Sequence, residues 1–140
     1  MKLFISADME GISGIHDPSH ILPGTGHNYE RGRSFMTRDV NTVVEAALDF
    51  GVKEVVVADS HFDGNNLLSE SLHPAIRLIA GFPRPDFMMH GLDETFDAAF
   101  FVGYHTRHGA PGVLSHTISP VVRNLYLNGK KVGEFGLNSA

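Results

Sequence analysis

The sequence predicts an α/β fold with a parallel sheet. Three apolar runs have the length and composition of buried strands, and they cover Lys2–Ala7, Glu54–Ser60 and Ala98–Tyr104. Each run is followed directly by a residue of a type that binds metal ions, namely Asp8, His61 or His105. Because parallel α/β sheets hold their active sites outside the carboxyl ends of the strands, these runs indicate one site at one edge of the sheet.

The first half of the chain reads as a strand–helix–strand unit. Lys2–Ala7 is the predicted first strand, and a loop from Met9 to Asn28 follows it; loops of this length are usually functional. From Arg33 to Phe50, apolar residues recur at helical spacing, and Gly51 fits the residue that ends a helix. Val52–Ala58 holds three consecutive valines, as expected for a strand that is buried on both faces.

Two further strands are predicted in the second half. They cover Ile76–Ala80 and Ala98–Gly103, and a short helical piece at Leu67–Leu72 precedes them. Phe87–Phe96 stays open between helix and loop, because Gly91 argues against a long helix.

A hairpin is predicted near the end of the chain. Asn128–Gly129 is a strong turn signal between the strand candidates Val121–Leu127 and Lys131–Val132. Gly133–Ala140 reads as the opening of a helix, and a domain rarely ends on the first turn of a helix. Residues 1–140 are therefore expected to form the N-terminal α/β metal-binding catalytic domain of a longer protein.

The composition limits the classes of molecule that this chain is expected to bind. A chain of 140 residues with 42% hydrophobic and 19% charged residues is expected to form one packed domain. The net charge of -5, without a cluster of Lys and Arg, argues against nucleic acid or an anionic membrane as a partner. The sequence contains no cysteine, and its first apolar stretch is too short for a signal peptide, so we expect a cytoplasmic location.

Asp8 and Glu10 are separated by one residue just past the first strand. In an extended chain both side chains point to the same side, so two carboxylates converge where they can hold one or two divalent cations. Gly11 follows, and a residue without a side chain lets the backbone turn sharply against a ligand. The alternative is an ordinary loop acid that faces water or caps a helix, and this stretch alone leaves both readings open.

His61 and His105 each follow a predicted strand. A single histidine in this position is more often an ordinary loop residue, but two of them together with the acid pair favour a site. Asp59 or Ser60 is a candidate for orienting His61. A ligand set of nitrogen and oxygen atoms suits a catalytic divalent metal better than a structural zinc, which usually has thiolate ligands.

The last third of the chain contributes two further candidates. His116 follows a Pro-Gly turn and is either a third histidine ligand, an acid–base group or a half-exposed loop residue. Glu134 is flanked by glycines, and taken alone it reads better as an acid favoured by a helix N-terminus. In contrast, no strand end or nearby acid fixes the histidines of the long loop, so we expect them to be solvated and to bind no metal: His16, His20 and His27.

With these residues in place, the chain resembles the zinc-dependent D-aminopeptidase family of the dipeptide-transport-operon type. The signature Ser-x-Asp-x-Glu-Gly of this family stands here as Ser6–Gly11. Further similar stretches follow in order along the chain: Asn28–Arg33, Asp59–His61, Asn65–Leu67, Leu72–Pro74, Gly103–His105, Pro111–Val113, Ser115–His116 and Val132–Asn138. Collinear matches over nearly the whole chain are more specific than any one motif.

The resemblance implies a Rossmann-like, mostly parallel sheet with helices on both faces. It implies two divalent metal ions, zinc in this family, with His116 as the catalytic side chain. The residues that it assigns as metal ligands are Asp8, Glu10, His61, His105 and Glu134. It further implies a second, C-terminal domain and a homo-oligomer in the form of a ten-subunit ring.

The sequence thus predicts a metallo-aminopeptidase that hydrolyses short peptides with N-terminal D-amino acids, using a water activated by two zinc ions and a catalytic histidine. Two alternatives stay open. A metal-dependent phosphoesterase would also use an Asp-x-Glu pair at a strand end, but no glycine-rich phosphate cradle or convergent Lys and Arg residues support it. A metal-binding module without catalysis is the second alternative.

Overall fold

Four parallel strands form the central sheet of the computed structural model, which describes all residues from Met1 to Ala140. The strands are β1 (Lys2–Ala7), β2 (Glu54–Asp59), β3 (Ile76–Ile79) and β4 (Ala98–Val102). They lie in the order β3-β2-β1-β4, and every neighbouring pair is parallel. The predicted fold class is confirmed, and each predicted strand differs from the observed one only at its ends.

The register of the sheet brings three strand ends to one place. Ala7, the last residue of β1, pairs with Asp59 in β2 and with Val102 in β4. Main-chain hydrogen bonds continue past these pairs, from Asp8 N–H to the Val102 carbonyl at 2.8 Å and from Ser60 N–H to the Ala7 carbonyl at 2.7 Å. The residues that follow the three strands therefore leave the sheet side by side.

One long helix, α1 (His27–Phe50), covers one face of the sheet. Its buried side packs against β1 and β2, and the shared core includes Met36, Val40 and Val44. Gly51 ends the helix in the left-handed conformation, as expected. The predicted start at Arg33 is wrong by six residues, because the first turns of α1 are polar and carry no apolar periodicity.

The expectation of helices on both faces holds for one face only, because the opposite face is covered mainly by irregular chain. Phe4, Val56 and Ala58 form a small core there with side chains that include Met89 and Phe96. Only the 3₁₀ turn Phe87–Met89 is regular within the segment that the sequence left open. Leu67–Leu72 likewise holds a 3₁₀ turn, at Ser69–Ser71, and no α-helix.

Beyond β4 the chain has little regular structure. A short hairpin joins β5 (Leu125–Leu127) to β6 (Lys130–Val132), and α2 (Glu134–Asn138) follows. The first hairpin strand is shorter than predicted, since Val121 is exposed and unpaired in the sheet.

The edge strand β4 is less buried than its apolar sequence suggests. Its first three residues are exposed, and 47% of the surface of Phe100 is accessible. An open cavity of about 340 Å³ lies beside it, lined by apolar residues of β1 and α1 that include Phe50. No helix of the chain combines the length and the apolar character needed to cross a bilayer.

Candidate metal centre

All six residues singled out from the sequence line one cleft of about 840 Å³ at the carboxyl edge of the sheet. They are Asp8, Glu10, His61, His105, His116 and Glu134. Asp8 directly follows β1, and Glu10, His61 and His105 lie within three residues of the ends of β1, β2 and β4, whereas Glu134 is the first residue of α2. His61 and His105 thus lie on the same side of the sheet edge, as a shared site requires.

Three groups of possible ligands overlap in this cleft. Within each group, ligand atoms lie no more than 4.8 Å from one another. The groups are Asp8–Glu10–His61, Asp8–His105–Glu134 and Glu10–His105–His116. Asp8 belongs to two of them, so its carboxylate lies between the other ligands of two adjacent groups.

The acid pair is held by the close approach of two backbones. Asp8 and Glu10 are only 2% and 4% exposed. The Gly11 N–H donates to the Gly103 carbonyl at 2.7 Å, and a Cβ atom on Gly11 would collide with the carbonyl of Tyr104. A glycine at position 11 therefore lets the chain after β1 lie against the chain after β4, which keeps both carboxylates at the cleft floor.

His61 is oriented by a main-chain carbonyl. Its Nε2–H donates to the carbonyl of Ile21 at 2.8 Å, because a carbonyl can only accept. Its Nδ1 lies 3.3 Å from Asp8 Oδ1 and 3.1 Å from Glu10 Oε2. Histidine ligands of metals almost always donate their second ring N–H in this way.

His105 and His116 repeat the same arrangement. The Nδ1 atom of His105 lies 3.0 Å from the Thr106 carbonyl, and that of His116 lies 2.9 Å from the Leu114 carbonyl. The two rings stack with centroids 4.0 Å apart, and each Nε2 faces the acids. Sequence reasoning missed these orienting carbonyls, since every residue has one and no residue type could reveal them.

Glu134 turns its carboxylate into the cleft. Its Oε2 lies 3.3 Å from His105 Nε2, and its Oε1 accepts a short hydrogen bond from the N–H of Ile118. The side chain is 5% exposed, so its position differs from that of a solvated acid at a helix N-terminus. The reading of Glu134 as a helix-terminal acid is thus incomplete, because the same carboxylate belongs to the cluster.

A buried network of hydrogen bonds fixes the main chain at His61. The Asp59 carboxylate accepts from the N–H groups of Asn66 and Leu67 at 2.6 and 2.7 Å. The Asn66 side-chain amide donates to Asp59 at 2.9 Å and to the His61 carbonyl at 2.6 Å. The Tyr29 hydroxyl donates to Asn66 at 2.7 Å. Asp59 therefore acts on His61 through Asn66. In the sequence, only the family-like stretch Asn65–Leu67 indicated that Asn66 matters here.

The concentrated charge shifts several pKa values. Burial and the neighbouring Glu10 carboxylate raise the pKa of Asp8 to about 7. Burial alone would lower the pKa of His61, but hydrogen bonds to Asp8 and Glu10 outweigh it and raise that pKa to about 11. Burial also opposes protonation of His105, while the adjacent carboxylates of Glu134 and Asp8 raise its pKa to about 9. The buried carboxylates thus favour a positive charge between them.

The donor set fits divalent metal ions. Two buried atoms of the cluster have no hydrogen-bond partner, Oδ2 of Asp8 and Nε2 of His105, and they lie 3.5 Å apart. Buried polar atoms are nearly always paired, and carboxylate oxygens and imidazole nitrogens are zinc ligands. A cation between them would pair both atoms and offset the charge of the acids.

The loop histidines differ from one another. His16 and His27 are exposed, as expected. The prediction that His20 is solvated is wrong, since it is 5% exposed and its ring packs edge-on against His16 and Phe35. Gly32 of α1 has no room for a Cβ against the His20 carbonyl, so the loop lies tightly on the helix and buries this ring.

Comparisons with known proteins agree with this arrangement. Residues 1–140 match the family described as D-aminopeptidase. The chain is 49% identical over 139 residues to the D-aminopeptidase of Bacillus subtilis strain 168. The match covers 99% of this chain and 50% of the relative.

A solved structure gives the same picture. The Zn-dependent D-aminopeptidase DppA from Bacillus subtilis, described as a self-compartmentalizing protease, superposes with a TM-score of 0.96 at 48% identity. The match covers 99% of this chain and 50% of that one, so the chain spans about half the length of the relatives that it matches. The family match over all 140 residues, together with the cluster at the strand ends, shows that this chain belongs to the D-aminopeptidase family.

Proposed function

We propose that residues 1–140 form the N-terminal α/β metal-binding catalytic domain of a metal-dependent D-aminopeptidase. The observation that carries this proposal is the pair of ligand groups, Asp8–Glu10–His61 and Asp8–His105–Glu134, that share one carboxylate. Two-metal sites of this general kind occur in aminopeptidases. Family membership supports the reaction, and coverage of about half of each relative is in line with a domain of a longer protein.

We propose zinc as the metal, as in the Zn-dependent relative. One ion would be held by each of the two groups, with Asp8 contributing to both. When bound, such ions supply Lewis-acid polarisation of the scissile carbonyl and lower the pKa of a water molecule.

His116 is the proposed catalytic side chain. It is the most accessible of the three clustered histidines, with 21% of its side chain exposed. Its Nδ1–H is held on the Leu114 carbonyl, and its Nε2 faces the cleft 3.7 Å from Glu10 Oε1. Cleavage of an amide needs a proton delivered to the leaving amine, and an imidazole held in this way can accept and return a proton at Nε2.

Short peptides are the proposed substrates. The free N-terminal amine of such a peptide would lie near a metal ion or an acid of the cleft. Apolar residues of the cleft wall, such as Leu22, Phe62 and Phe87, provide surface for side chains of the peptide and exclude water from the reacting bond. The preference for an N-terminal D-amino acid is proposed from family membership.

The assembly is a further part of the proposal. Because the solved relative is described as self-compartmentalizing, we propose a homo-oligomer and, as the number of copies, a ten-subunit ring. The molar mass of the intact protein in solution tests both statements. The cytoplasmic location stays a prediction from the sequence.

The test of the activity is hydrolysis by the intact protein of two alanine dipeptides that differ only in the configuration of the first residue. We expect faster release of alanine from the peptide with the D residue, loss of activity after chelation, and recovery when zinc is returned. An aryl phosphoester is the comparison substrate. Cleavage of the phosphoester without cleavage of either peptide would instead support a phosphoesterase, and a metal-loaded protein inactive on all three would support a binding module.

A further inference from the structure

Beneath the metal centre lies a second, uncharged cluster of hydrogen-bonded groups. Its members are Ser6, Ser60, Tyr104, Asn138 and the main-chain carbonyl of Met88. Ser6 and Ser60 are 0% and 5% exposed, so this cluster is a buried part of the sheet edge. None of these side chains belongs to a group of possible metal ligands.

Hydrogen bonds link the members of this cluster in a continuous series. The Asn138 side-chain N–H can only donate, and it lies 3.1 Å from the Tyr104 hydroxyl. The Met88 carbonyl can only accept, and it lies 2.9 Å from the Ser6 hydroxyl. The Tyr104 and Ser6 hydroxyls are 2.8 Å apart, and either can donate to the other, so Tyr104 and Ser6 connect Asn138 to the Met88 carbonyl.

A second arm reaches β2. The Ser60 hydroxyl lies 3.0 Å from the same Met88 carbonyl and 2.9 Å from the Ser6 hydroxyl. The cluster thus has two arms, one through Ser60 at the end of β2 and one from Asn138 of α2 through Tyr104 and Ser6. Both arms end at the Met88 carbonyl, which is their shared acceptor.

Each side chain of the cluster stands next to a metal-ligand candidate along the chain. Ser6 is two residues before Asp8, and Ser60 and Tyr104 directly precede His61 and His105. Asn138 lies four residues, about one helical turn, after Glu134 on α2. The cluster thus connects all of the elements that carry the two proposed ligand groups.

We propose that Ser6, Ser60, Tyr104 and Asn138 are positioning residues that set the separation of these elements and thereby the affinity of each metal group. This inference rests on the two-metal proposal made above. The arm through Ser60 positions the group Asp8–Glu10–His61, and the arm through Asn138 positions the group Asp8–His105–Glu134. Tyr104 and Ser6 join the two arms.

Directional bonds suit this role better than apolar packing. Metal–ligand distances are defined within about 0.2 Å, and hydrogen bonds constrain both distance and angle, whereas the hydrophobic effect has no preferred direction. A fully satisfied buried polar network fixes one arrangement of the groups it joins, because every alternative leaves a donor or an acceptor unpaired.

The test is a Co²⁺ titration of the metal-free intact protein, followed by visible absorption. His61→Ala and Glu134→Ala each leave one ligand group complete, so their spectra identify the signal of each bound ion. Ser60→Ala should then weaken Co²⁺ binding at the His61 group, and Asn138→Ala at the Glu134 group. Tyr104→Phe should weaken both, in each case by about 10–100-fold, as is typical for residues that orient ligands.

Matched controls separate positioning from general stability. Tyr126→Phe and Asn124→Ala remove the same chemical groups from exposed positions and should leave both affinities unchanged. Ser60→Thr keeps the hydroxyl and should restore most of the affinity that Ser60→Ala loses. Thermal midpoints of all variants are measured in parallel.

The outcomes distinguish this inference from the proposed function. If the wild-type protein binds two Co²⁺ ions and the cluster variants bind them equally well, the inference is wrong and the function stands. The same holds if the variants lower the thermal midpoint alone, or if Ser60→Ala and Asn138→Ala each weaken both sites equally. If the wild-type protein binds no Co²⁺ in the cleft, the proposed function itself is wrong and the inference falls with it.

Discussion

The two regions that supply the metal centre are constructed differently. Asp8, Glu10 and His61 follow two adjacent strands whose register is fixed by an unbroken ladder of main-chain hydrogen bonds. His116 and Glu134 come from the irregular segment 106–138, which holds only a three-residue hairpin ladder and a five-residue helix.

Non-glycine residues at positive φ occur beside ligands of both regions, since Phe62, directly after His61, has a φ of 49°. The residues on either side of His116 include Leu114 and Ile118, both non-glycine residues at positive φ, 51° and 60°. A β-branched residue such as Ile118 rarely adopts this conformation, and its N–H is the donor to Glu134. The strand-end ligands are placed by sheet topology, whereas His116 and Glu134 depend on a few local contacts, which also impose the strained backbone on both sides of His116.

The largest effect is expected for Asp8, which belongs to both ligand groups. Asp8→Ala should abolish binding of both ions and all peptide hydrolysis, because neither group keeps its shared carboxylate. Metal analysis of the purified intact protein, together with the dipeptide assay, measures both effects. If one full equivalent of zinc remained, Asp8 would not bridge the two groups.

His116 should give a smaller and purely kinetic effect. His116→Ala should lower kcat by about 10²–10⁴-fold while both metals stay bound, since the strand-end ligands remain complete. Steady-state kinetics with metal analysis check this, and His27→Ala at the exposed start of α1 is the control. Loss of metal from His116→Ala would make His116 a ligand, in line with the group Glu10–His105–His116.

Substitutions at two glycines test how rigid the structure is in each of the two regions. Gly11→Ala places a Cβ against the main-chain carbonyl of Tyr104, whereas Gly112→Ala meets side-chain atoms of Thr106 and Ser115 that can rotate away. We expect Gly11→Ala to lower the free energy of unfolding by about 1–3 kcal/mol and Gly112→Ala by less. Denaturant unfolding of the intact protein measures both, and a larger loss for Gly112→Ala would reverse the comparison.

The loop histidines should give the smallest effects. His16→Asn and His27→Asn change exposed side chains and should alter stability by no more than about 0.5 kcal/mol, with no change in bound metal. His20→Asn removes a buried ring beside Phe35 and should cost more stability, again without loss of metal. Loss of one metal equivalent from any of the three would contradict the ligand assignment.

The sequence by itself determined the fold class and the strand-end part of the site. A continuous apolar run such as the three valines of β2 is stable only when both faces are covered, which specifies a parallel layered sheet. Asp8, His61 and His105 follow such runs directly, so their convergence at one edge needs no information beyond the order of residues. The resemblance to a family added Glu134 and His116, which local pattern left ambiguous.

Only the tertiary structure decided the features that depend on distant backbone atoms. The carbonyls of Ile21, Thr106 and Leu114 orient the histidines, and the closeness of His20 to Gly32 buries a ring expected in solvent. The same is true of Asn138, which reaches Tyr104 and Met88 across the sheet edge. Such contacts join residues far apart in the chain through groups that every residue has, or through rotamers set by packing, so no local pattern encodes them.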